Sequence, residues 1–370
     1  MNVLYVSSQI NGSHTGGAMY SRSNYDFLNS NPSIGKIETV NISLSKIKNP
    51  IIRKLLILTN SIIGYSSQET ILSYNKITRH KSFQNSDIIW FDGSLSGKTL
   101  AKIKKQHPSK VIVTAFHNIE KDFYNSVFKS WIYFTLKRSV LKSEYLSVKY
   151  SDLKTTITSE DGARLKDIYS NSYSMTLPIL YKIHSRCPNS TAYLREGETQ
   201  GYVLFVGSDF PPNVEALEYI SNVIAPIISK KVLIVGKGLE KYKKSFEKVN
   251  VEIVGFVEDI SPYYIKADAV ITPIFSGAGM KIKVAEALSY GKIVIGTPFS
   301  FVGYPEYNQH PTVFKVAESS SDFKRLIDSN VSLHYNLASI EYFETHFLYT
   351  RYIEIFDSIV GDIFKNKAKG

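Results

Sequence analysis

Short apolar runs and longer amphipathic stretches alternate along the whole chain. Val3–Ser7 reads as a buried strand, Gly12–Gly17 as a glycine-rich loop, and Ala18–Leu28 has helical spacing. Further strands are expected at Ile37–Ile42, Ile88–Phe91 and Val111–Ala115, helices at Ser96–Gln106 and Lys129–Tyr150, and a last short strand at Thr155–Thr158. Residues 184–200, HSRCPNSTAYLREGETQ, are polar and aperiodic, as a linker or surface loop would be. The alternation then restarts. Strands at Tyr202–Val206, Val232–Val235, Val251–Val254, Ala269–Thr272 and Ile293–Gly296 enclose helices at Val214–Ile228, Leu239–Val249 and Lys283–Ser289, and the last forty residues have helical character. Strands that alternate with helices build parallel sheets covered on both faces. The 370 residues also exceed the ~250–300 at which a single core stops growing. The pattern therefore predicts an α/β chain of two Rossmann-like units, residues 1–183 and 201–345, joined by a linker at 184–200 and closed by a helix over 346–370 that crosses back.

Composition narrows this picture. A single cysteine, Cys187, excludes an internal disulfide and a cysteine-based zinc site. The opening MNVLYVSSQINGSHTGG has neither a basic nor a long apolar segment, and no run of 18 apolar residues occurs. No signal peptide and no membrane-spanning helix are expected, and a cytoplasmic location with a peripheral position at the inner membrane face fits both. Charge is uneven: residues 1–183 carry 24 Lys and Arg against 12 Asp and Glu, whereas residues 184–370 carry 20 against 21. Such asymmetry implies an anionic partner for the first half, a membrane surface or a polyanionic acceptor. No nucleic-acid-binding module is recognisable, so nucleic acid is not an expected partner. Val127–Tyr150 mixes Trp131, Tyr133 and Phe134 with Lys129, Lys137, Arg138 and Lys142; it suits either a membrane surface or a helix packed on the first sheet.

In open α/β sheets ligands bind beyond the carboxyl ends of strands, so the informative loops are those that follow strands. Pro273–Gly291, PIFSGAGMKIKVAEALSYG, follows an apolar strand and opens a helix. Gly277 and Gly279 permit close backbone approach, and free amides at a helix start hold phosphate oxygens. Lys281 and Lys283 at that end oppose the helix macrodipole, a cost that a bound anion removes. Glu286 suits either a surface pair with Lys283 or a carboxylate for ribose hydroxyls. Other motifs are weaker. Asp92–Thr99, DGSLSGKT, has three residues between its glycines where a P-loop needs four, and reads as a helix start. Gly236-Lys-Gly238 lacks the third glycine of a dinucleotide site. There is no Asp-x-Asp, and the eight histidines lack metal-ligand spacing, so neither metal nor cofactor is expected.

Taken together, the second half resembles the donor domain of GT-B glycosyltransferases, particularly glycosyltransferase family 4. Five segments come in the family's order: Val206–Asn213, Ile234–Gly238, Val254–Val257, Gly277–Gly291 and Ile293–Pro298. The resemblance implies a GT-B fold, with two Rossmann-like domains facing across a cleft. It also implies a nucleotide-sugar donor, a glycan or lipid-linked acceptor, metal-independent hexosyl transfer with retention, and a place in bacterial surface polysaccharide or glycolipid assembly. Gly207 and Ser208 would lie near the diphosphate or sugar, Val254, Gly255, Phe256 and Val257 near the base, and Gly279, Met280, Lys281 and Lys283 on the diphosphate. Glu286 would take the ribose as the second of the family's paired glutamates, whereas the position of the first holds Ala278. In the first half, Gly16 and Gly17 match a glycine pair that approaches the donor. His117 in Phe116-His-Asn-Ile-Glu120 would contact the donor sugar or acceptor, and Asn118 and Glu120 would shape the loop. Ser159-Glu160-Asp161 is similar to a family segment near the hinge and equally suits a helix cap. A catalytically silent sugar-nucleotide-binding subunit and another GT-B enzyme, such as a nucleotide-sugar epimerase, are the alternatives.

Overall fold

A computed structural model describes residues 1–10, 16–42, 49–127, 134–170, 174–181, 201–277, 279–329 and 335–369. The chain divides into two compact units, Met1–Lys182 together with Tyr349–Gly370, and Ile183–Leu348. Residues 184–200 and Ala278 lie outside the described residues.

The first unit runs β1 (Asn2–Ser7), α1 (Gly16–Ser30), β2 (Lys36–Asn41), α2 (Pro50–Ile62), α3 (Ser73–Thr78), β3 (Ile88–Asp92), α4 (Gly97–Gln106), β4 (Val111–Phe116), α5 (Glu120–Val127), α6 (Phe134–Tyr150), β5 (Leu153–Thr156), α7 (Ser159–Tyr169) and β6 (Met175–Thr176). Its sheet is parallel, in the order β2-β1-β3-β4-β5-β6. β3 and β4 read IIWFD and VIVTAF and are buried at every position, as expected of strands with helices on both faces. The apolar pattern names no element between Ile42 and Ile88, yet α2 and α3 lie there. α2 starts after Asn49, whose side chain accepts from Ile51 and Ile52, with Pro50 at the first helical position.

The second unit runs β7 (Tyr202–Val206), α8 (Pro211–Tyr219), β8 (Lys231–Val235), α9 (Lys243–Phe246), β9 (Val251–Gly255), α10 (Ser261–Lys266), β10 (Ala267–Thr272), α11 (Ile282–Ser289), β11 (Val294–Gly296), β12 (Phe314–Val316), α12 (Ser320–Asp328) and α13 (Leu337–Phe347). Its parallel sheet has the order β12-β11-β10-β7-β8-β9. Two expected helices are shorter than the sequence suggests. The one expected over Val214–Ile228 stays α-helical only to Tyr219, then widens into a π turn over Ile220–Ile224 and ends in a 3-10 turn, because Pro226 cannot supply an amide to the ladder. The one expected over Leu239–Val249 is a 3-10 turn followed by the four residues of α9.

α13 packs beside α11 and stays in the second unit, whereas α14 (Tyr349–Lys369) belongs to the first. Phe356 of α14 is fully buried against Phe27 and Trp90, at ring separations of 5.7 and 6.1 Å. Asp357 accepts from Asn31 Nδ2 at 2.8 Å and Ser33 Oγ at 2.6 Å. Lys367 donates to the carbonyls of Pro108 and Lys110, each at 2.8 Å. The helix is thus fixed along its length to the edge where β2 and β4 begin. Phe356→Ala is expected to cost the first unit about 3–5 kcal/mol, as truncating a buried phenyl ring does; urea unfolding followed by tryptophan fluorescence measures it, since Trp90 lies in contact.

Candidate functional site

The strand order decides where loops converge. In the second unit the chain builds outward through β7, β8 and β9, then returns to the other side of β7 with β10. The order reverses between β7 and β10, and a crevice opens at the carboxyl ends on either side of such a reversal. Gly207 follows β7, Gly236 follows β8, Gly255 closes β9, and Gly277 and Gly279 lie beyond β10. The packing requires at least one of them: a Cβ on Gly236 would come within 1.5 Å of the Gly207 carbonyl oxygen. Gly236 N–H also donates to the Gly255 carbonyl at 2.8 Å, which ties the ends of β8 and β9 together.

Two helices begin at the reversal, and they differ. α8 opens with Pro211 and Pro212, which have no N–H, and the amides of Asn213 and Val214 are bonded to the Phe210 carbonyl at 2.8 and 3.1 Å. Its start has no amide to offer an anion. α11 opens after Lys281, and the amides of Ile282 and Lys283 have no hydrogen-bond partner among the described residues. Tyr304 braces the same turn. Its hydroxyl donates to the Lys281 carbonyl at 2.7 Å and accepts from the Ala285 amide at 2.8 Å.

The two lysines are held apart. Lys281 Nζ donates to the Gly279 carbonyl at 2.6 Å and lies 4.3 Å from the centre of the Phe299 ring. Lys283 Nζ lies 4.5 Å from the centre of the buried Phe205 ring and donates to Asn213 Oδ1 at 2.6 Å. Asn213 Nδ2 in turn donates to the Ser208 carbonyl at 3.0 Å, so one side chain joins Lys283 to the loop after β7. Burial, and then the charge of Lys281, push the Lys283 ammonium down to about 7. Ser276 Oγ donates to Glu215 at 2.6 Å and ties the loop after β10 to α8. Met280 is buried between the lysine and glycine positions of this loop.

Glu286, one turn further along α11, accepts from Tyr264 Oη at 3.1 Å. Tyr264 is fully buried and stacks on Tyr290, rings 4.8 Å apart and 8° from parallel. Val254 and Gly255 end β9, and Phe256 just beyond them is 58% exposed, an aromatic face offered to solvent beside Val257. Asn213, Tyr304 and Tyr264 escaped the sequence reading. Asn213 was visible there only as the end of a motif, and the two tyrosines act from positions 19–23 residues away from their partners.

The first unit carries a second cluster at its own reversal, between β1 and β3. Ser7 ends β1 and Asp92 ends β3, side by side in register, and Ser7 Oγ donates to Asp92 Oδ2 at 2.5 Å. His117, just after β4, meets the other carboxylate oxygen through Nε2 at 2.8 Å. All three are buried. Burial alone would raise the Asp92 carboxyl, but the charge and hydrogen bond of His117, with the hydroxyls of Ser21 and Ser7, outweigh it and hold the group below its ordinary value. An ionised Asp92 can only accept, so Nε2 is the protonated nitrogen. Nδ1 is buried, has no hydrogen-bond partner among the described residues, and lies 3.6 Å from where a Cβ on Gly17 would stand. Gly16 and Gly17 open α1, and a side chain at Gly17 would also strike Gln9 Oε1 at 2.3 Å. The structure thus brings together Gly17 and His117 and adds Asp92 and Ser7, which the sequence showed only as parts of other segments.

The remaining motifs resolve as local structure. The Asp92–Thr99 segment does start a helix, and its amides are already occupied: Lys98 and Thr99 donate to the buried Glu69 carboxylate at 3.3 and 2.9 Å, and Gly97 to Ser143 Oγ at 2.8 Å. Glu144 does the same for α5, accepting from the Glu120 and Lys121 amides. Glu120 itself is buried and pushed up to about 8 by burial and by Glu144. Ser159-Glu160-Asp161 forms the first turn of α7, capped by Thr158, whose hydroxyl accepts from Asp161. Among the described residues no cluster of three or more His, Cys, Asp or Glu could hold a metal ion.

Comparison with known proteins fits this geometry. Residues 200–329, all within the second unit, match the family model described as glycosyl transferases group 1. A search of curated proteins finds no match. Among solved structures, HepE from Anabaena in complex with UDP aligns at TM-score 0.66 and 12% identity, covering 98% of this chain and 100% of that one. WaaG, a glycosyltransferase involved in lipopolysaccharide biosynthesis, aligns at 0.60 and 15%, covering 97% and 100%. A glycosyltransferase from Rickettsia africae aligns at 0.60 and 14%, covering 97% and 98%. These likenesses establish the GT-B fold for the whole chain.

The shift of Lys283 has a measurable consequence. Its folded value near 7 lies below the ~10.4 of an unfolded lysine, so between those limits the unfolded chain holds a proton that the folded chain has released. Stability therefore rises with pH across that window. Lys283→Met is expected to be more stable than the parent at pH 6, with the difference closing toward pH 10, in urea unfolding without added anion.

Proposed function

We propose that the protein is a glycosyltransferase that takes a sugar from a nucleotide-sugar donor held on the second unit and transfers it to a glycan or lipid-linked acceptor. One observation carries this reading: at the strand reversal of the unit that matches the group 1 glycosyl transferase model, two lysines meet the Ile282 and Lys283 amides, which have no hydrogen-bond partner among the described residues, at the start of α11.

As the bond between the anomeric carbon and the diphosphate breaks, its electron pair leaves with the diphosphate, and negative charge grows there. Lys281, Lys283 and the Ile282 and Lys283 amides stabilise that charge without a metal or other cofactor. An arriving diphosphate also returns Lys283 to its charged state, because a nearby anion favours the protonated form. Gly207, Ser208, Gly279 and Met280 line the approach of the diphosphate and sugar, Glu286 takes the ribose hydroxyls, and Val254–Val257 carry the base, with Phe256 as its platform. HepE was solved with UDP and with UDP-glucose, so uridine diphosphate sugars are the first donors to try. In the first unit, Gly16 and Gly17 leave room beside His117. When the imidazole is neutral, Asp92 fixes its tautomer and leaves the Nδ1 lone pair to accept a hydroxyl of the sugar or acceptor. Transfer of a hexose with retention is the chemistry the family resemblance favours.

The first unit, α14 included, carries 28 Lys and Arg against 15 Asp and Glu. That excess suits an anionic or lipid-linked acceptor at the inner face of a membrane, and assembly of a surface polysaccharide or glycolipid, the setting given by name for WaaG.

A thermal-shift screen against nucleoside diphosphates and their sugars tests the donor site, since a ligand held a hundredfold above its Kd adds about 2.7 kcal/mol. Lys281→Ala and Glu286→Ala are each expected to lower turnover or donor affinity at least about tenfold; unchanged kinetics in both would remove these residues from the site. Asp92→Asn is expected to lower kcat by about tenfold or more while leaving the UDP-induced thermal shift intact, because the amide no longer selects the His117 tautomer. Donor binding with no turnover on any acceptor would instead favour a silent binding subunit.

A further inference from the structure

α2 is attached to its unit the wrong way round for a soluble protein. At roughly 100° per residue, Ile51, Leu55, Leu58 and Ile62 form one row along the helix, with Ile52, Leu56 and Ile63 beside it. These seven side chains are exposed: Ile51 is 75% accessible, Leu55 61% and Ile62 72%. The buried positions lie on the opposite side and are polar, Asn60 and Ser61, with Ser61 Oγ 3.3 Å from Thr135 Oγ1 of α6. An amphipathic helix normally buries its apolar stripe; this one shows that stripe to solvent. Phe134, at the start of α6 beside that contact, is 64% exposed and extends the patch. A contiguous apolar surface of this kind marks an interaction site.

Charge around the patch selects the partner. α2 carries Arg53 and Lys54, α4 carries Lys98, Lys102, Lys104 and Lys105, and α6 carries Lys137, Arg138, Lys142 and Lys149. Against these ten cations the three helices hold one carboxylate, Glu144, which is fully buried. Among the described residues, Lys104 alone of the ten forms an ion pair with a carboxylate, Asp152. The three helices are one surface: α6 packs on both α2 and α4, and Lys98 donates to the Ile63 carbonyl at the end of α2. Burial, and then the charge of nearby Lys142, hold the Lys98 ammonium below its ordinary value. At about 1.5 Å per residue, thirteen residues span some 20 Å, short of a ~30 Å bilayer core. Among the described residues no helix is long and apolar enough to cross a membrane.

We infer that α2 lies in the interface of an anionic phospholipid bilayer, its Ile51–Leu55–Leu58–Ile62 row among the acyl chains and the cations of α4 and α6 on the headgroups. This places the surface expected from Val127–Tyr150 mainly on a helix the sequence pattern did not name, with α6 as its charged shoulder. It rests on the membrane setting proposed above, and not on the donor chemistry.

Flotation with phosphatidylcholine vesicles, alone or with about one-third phosphatidylglycerol, tests it. The intact protein is expected to partition to the anionic vesicles at least about tenfold better than to neutral ones, with the advantage falling as salt rises. Leu55→Ser with Ile62→Ser, both at exposed positions, is expected to abolish flotation. Arg53→Gln with Lys54→Gln is expected to weaken it on anionic vesicles. The UDP-induced thermal shift of the second unit serves as the control and should not change, so failure of flotation and failure of the donor reading are separately visible. Flotation that ignores lipid charge, or that survives Leu55→Ser with Ile62→Ser, overturns the inference. So does a dimer in sedimentation that the same double variant turns into a monomer, since the face would then belong to a second copy of the chain.

Discussion

Lys283 is a cation sunk beside an aromatic ring, hydrogen-bonded to a neutral amide, with a second lysine as its near charged neighbour. A fold under selection for stability alone would replace it with an apolar residue or give it a carboxylate. Nearby structure is instead arranged to keep it. Asn213 supplies the acceptor and fixes the loop after β7, the double proline removes competing amides from α8, and Tyr304 braces the turn that carries Lys281. Strand order comes first in this chain of dependence, because only the reversal between β7 and β10 sets the starts of α8 and α11 side by side.

Three helix starts in this chain show what an unneutralised one means. α4 and α5 both begin where a phosphate could be held by geometry alone, and each is closed by a buried glutamate from elsewhere in the first unit, Glu69 and Glu144. Burial raises both carboxyls, so these caps are retained against a desolvation cost. Among the described residues no carboxylate accepts from the Ile282 or Lys283 amide at the start of α11, and two lysines stand there. The contrast separates helix starts closed by a glutamate of their own unit from one whose first amides stay open among the described residues.

Much of this was legible in the sequence because it was local. The alternation of strands and helices gave both sheets, and the glycines and lysines of Gly277–Lys283 lie within seven residues. What stayed hidden was long-range. Asp92 and His117 are 25 residues apart, and Lys283 and Asn213 are 70 apart, so no spacing rule joins them. The Val214–Ile228 helix was overcalled because periodicity persists through a π turn while the α ladder does not. α2 was missed for a different reason. Its PIIRKLLILTNSI reads as a continuous apolar run, and periodicity cannot say which side of a helix faces the protein when the polar positions are the buried ones.

That inversion connects the two ends of the chemistry. A donor nucleotide is soluble and polyanionic, and a small number of well-placed cations and amides suffices to bind it. An acceptor carried on lipid is presented by a surface, which must be approached over a broad area by apolar contact and diffuse charge. The site proposed on the second unit is of the first kind: few charges, half-buried, with Lys281 on the Gly279 carbonyl and Lys283 on Asn213. The first unit has the second kind: ten basic side chains on three helices, nine of them with no carboxylate partner among the described residues, beside a stripe of leucine and isoleucine. Net charge over the whole chain, +11, conceals this division. The first unit's excess is greater than the total, and the second unit is slightly acidic despite holding the two lysines proposed to meet the donor. Charge placement, more than charge amount, distinguishes what each unit is built to meet.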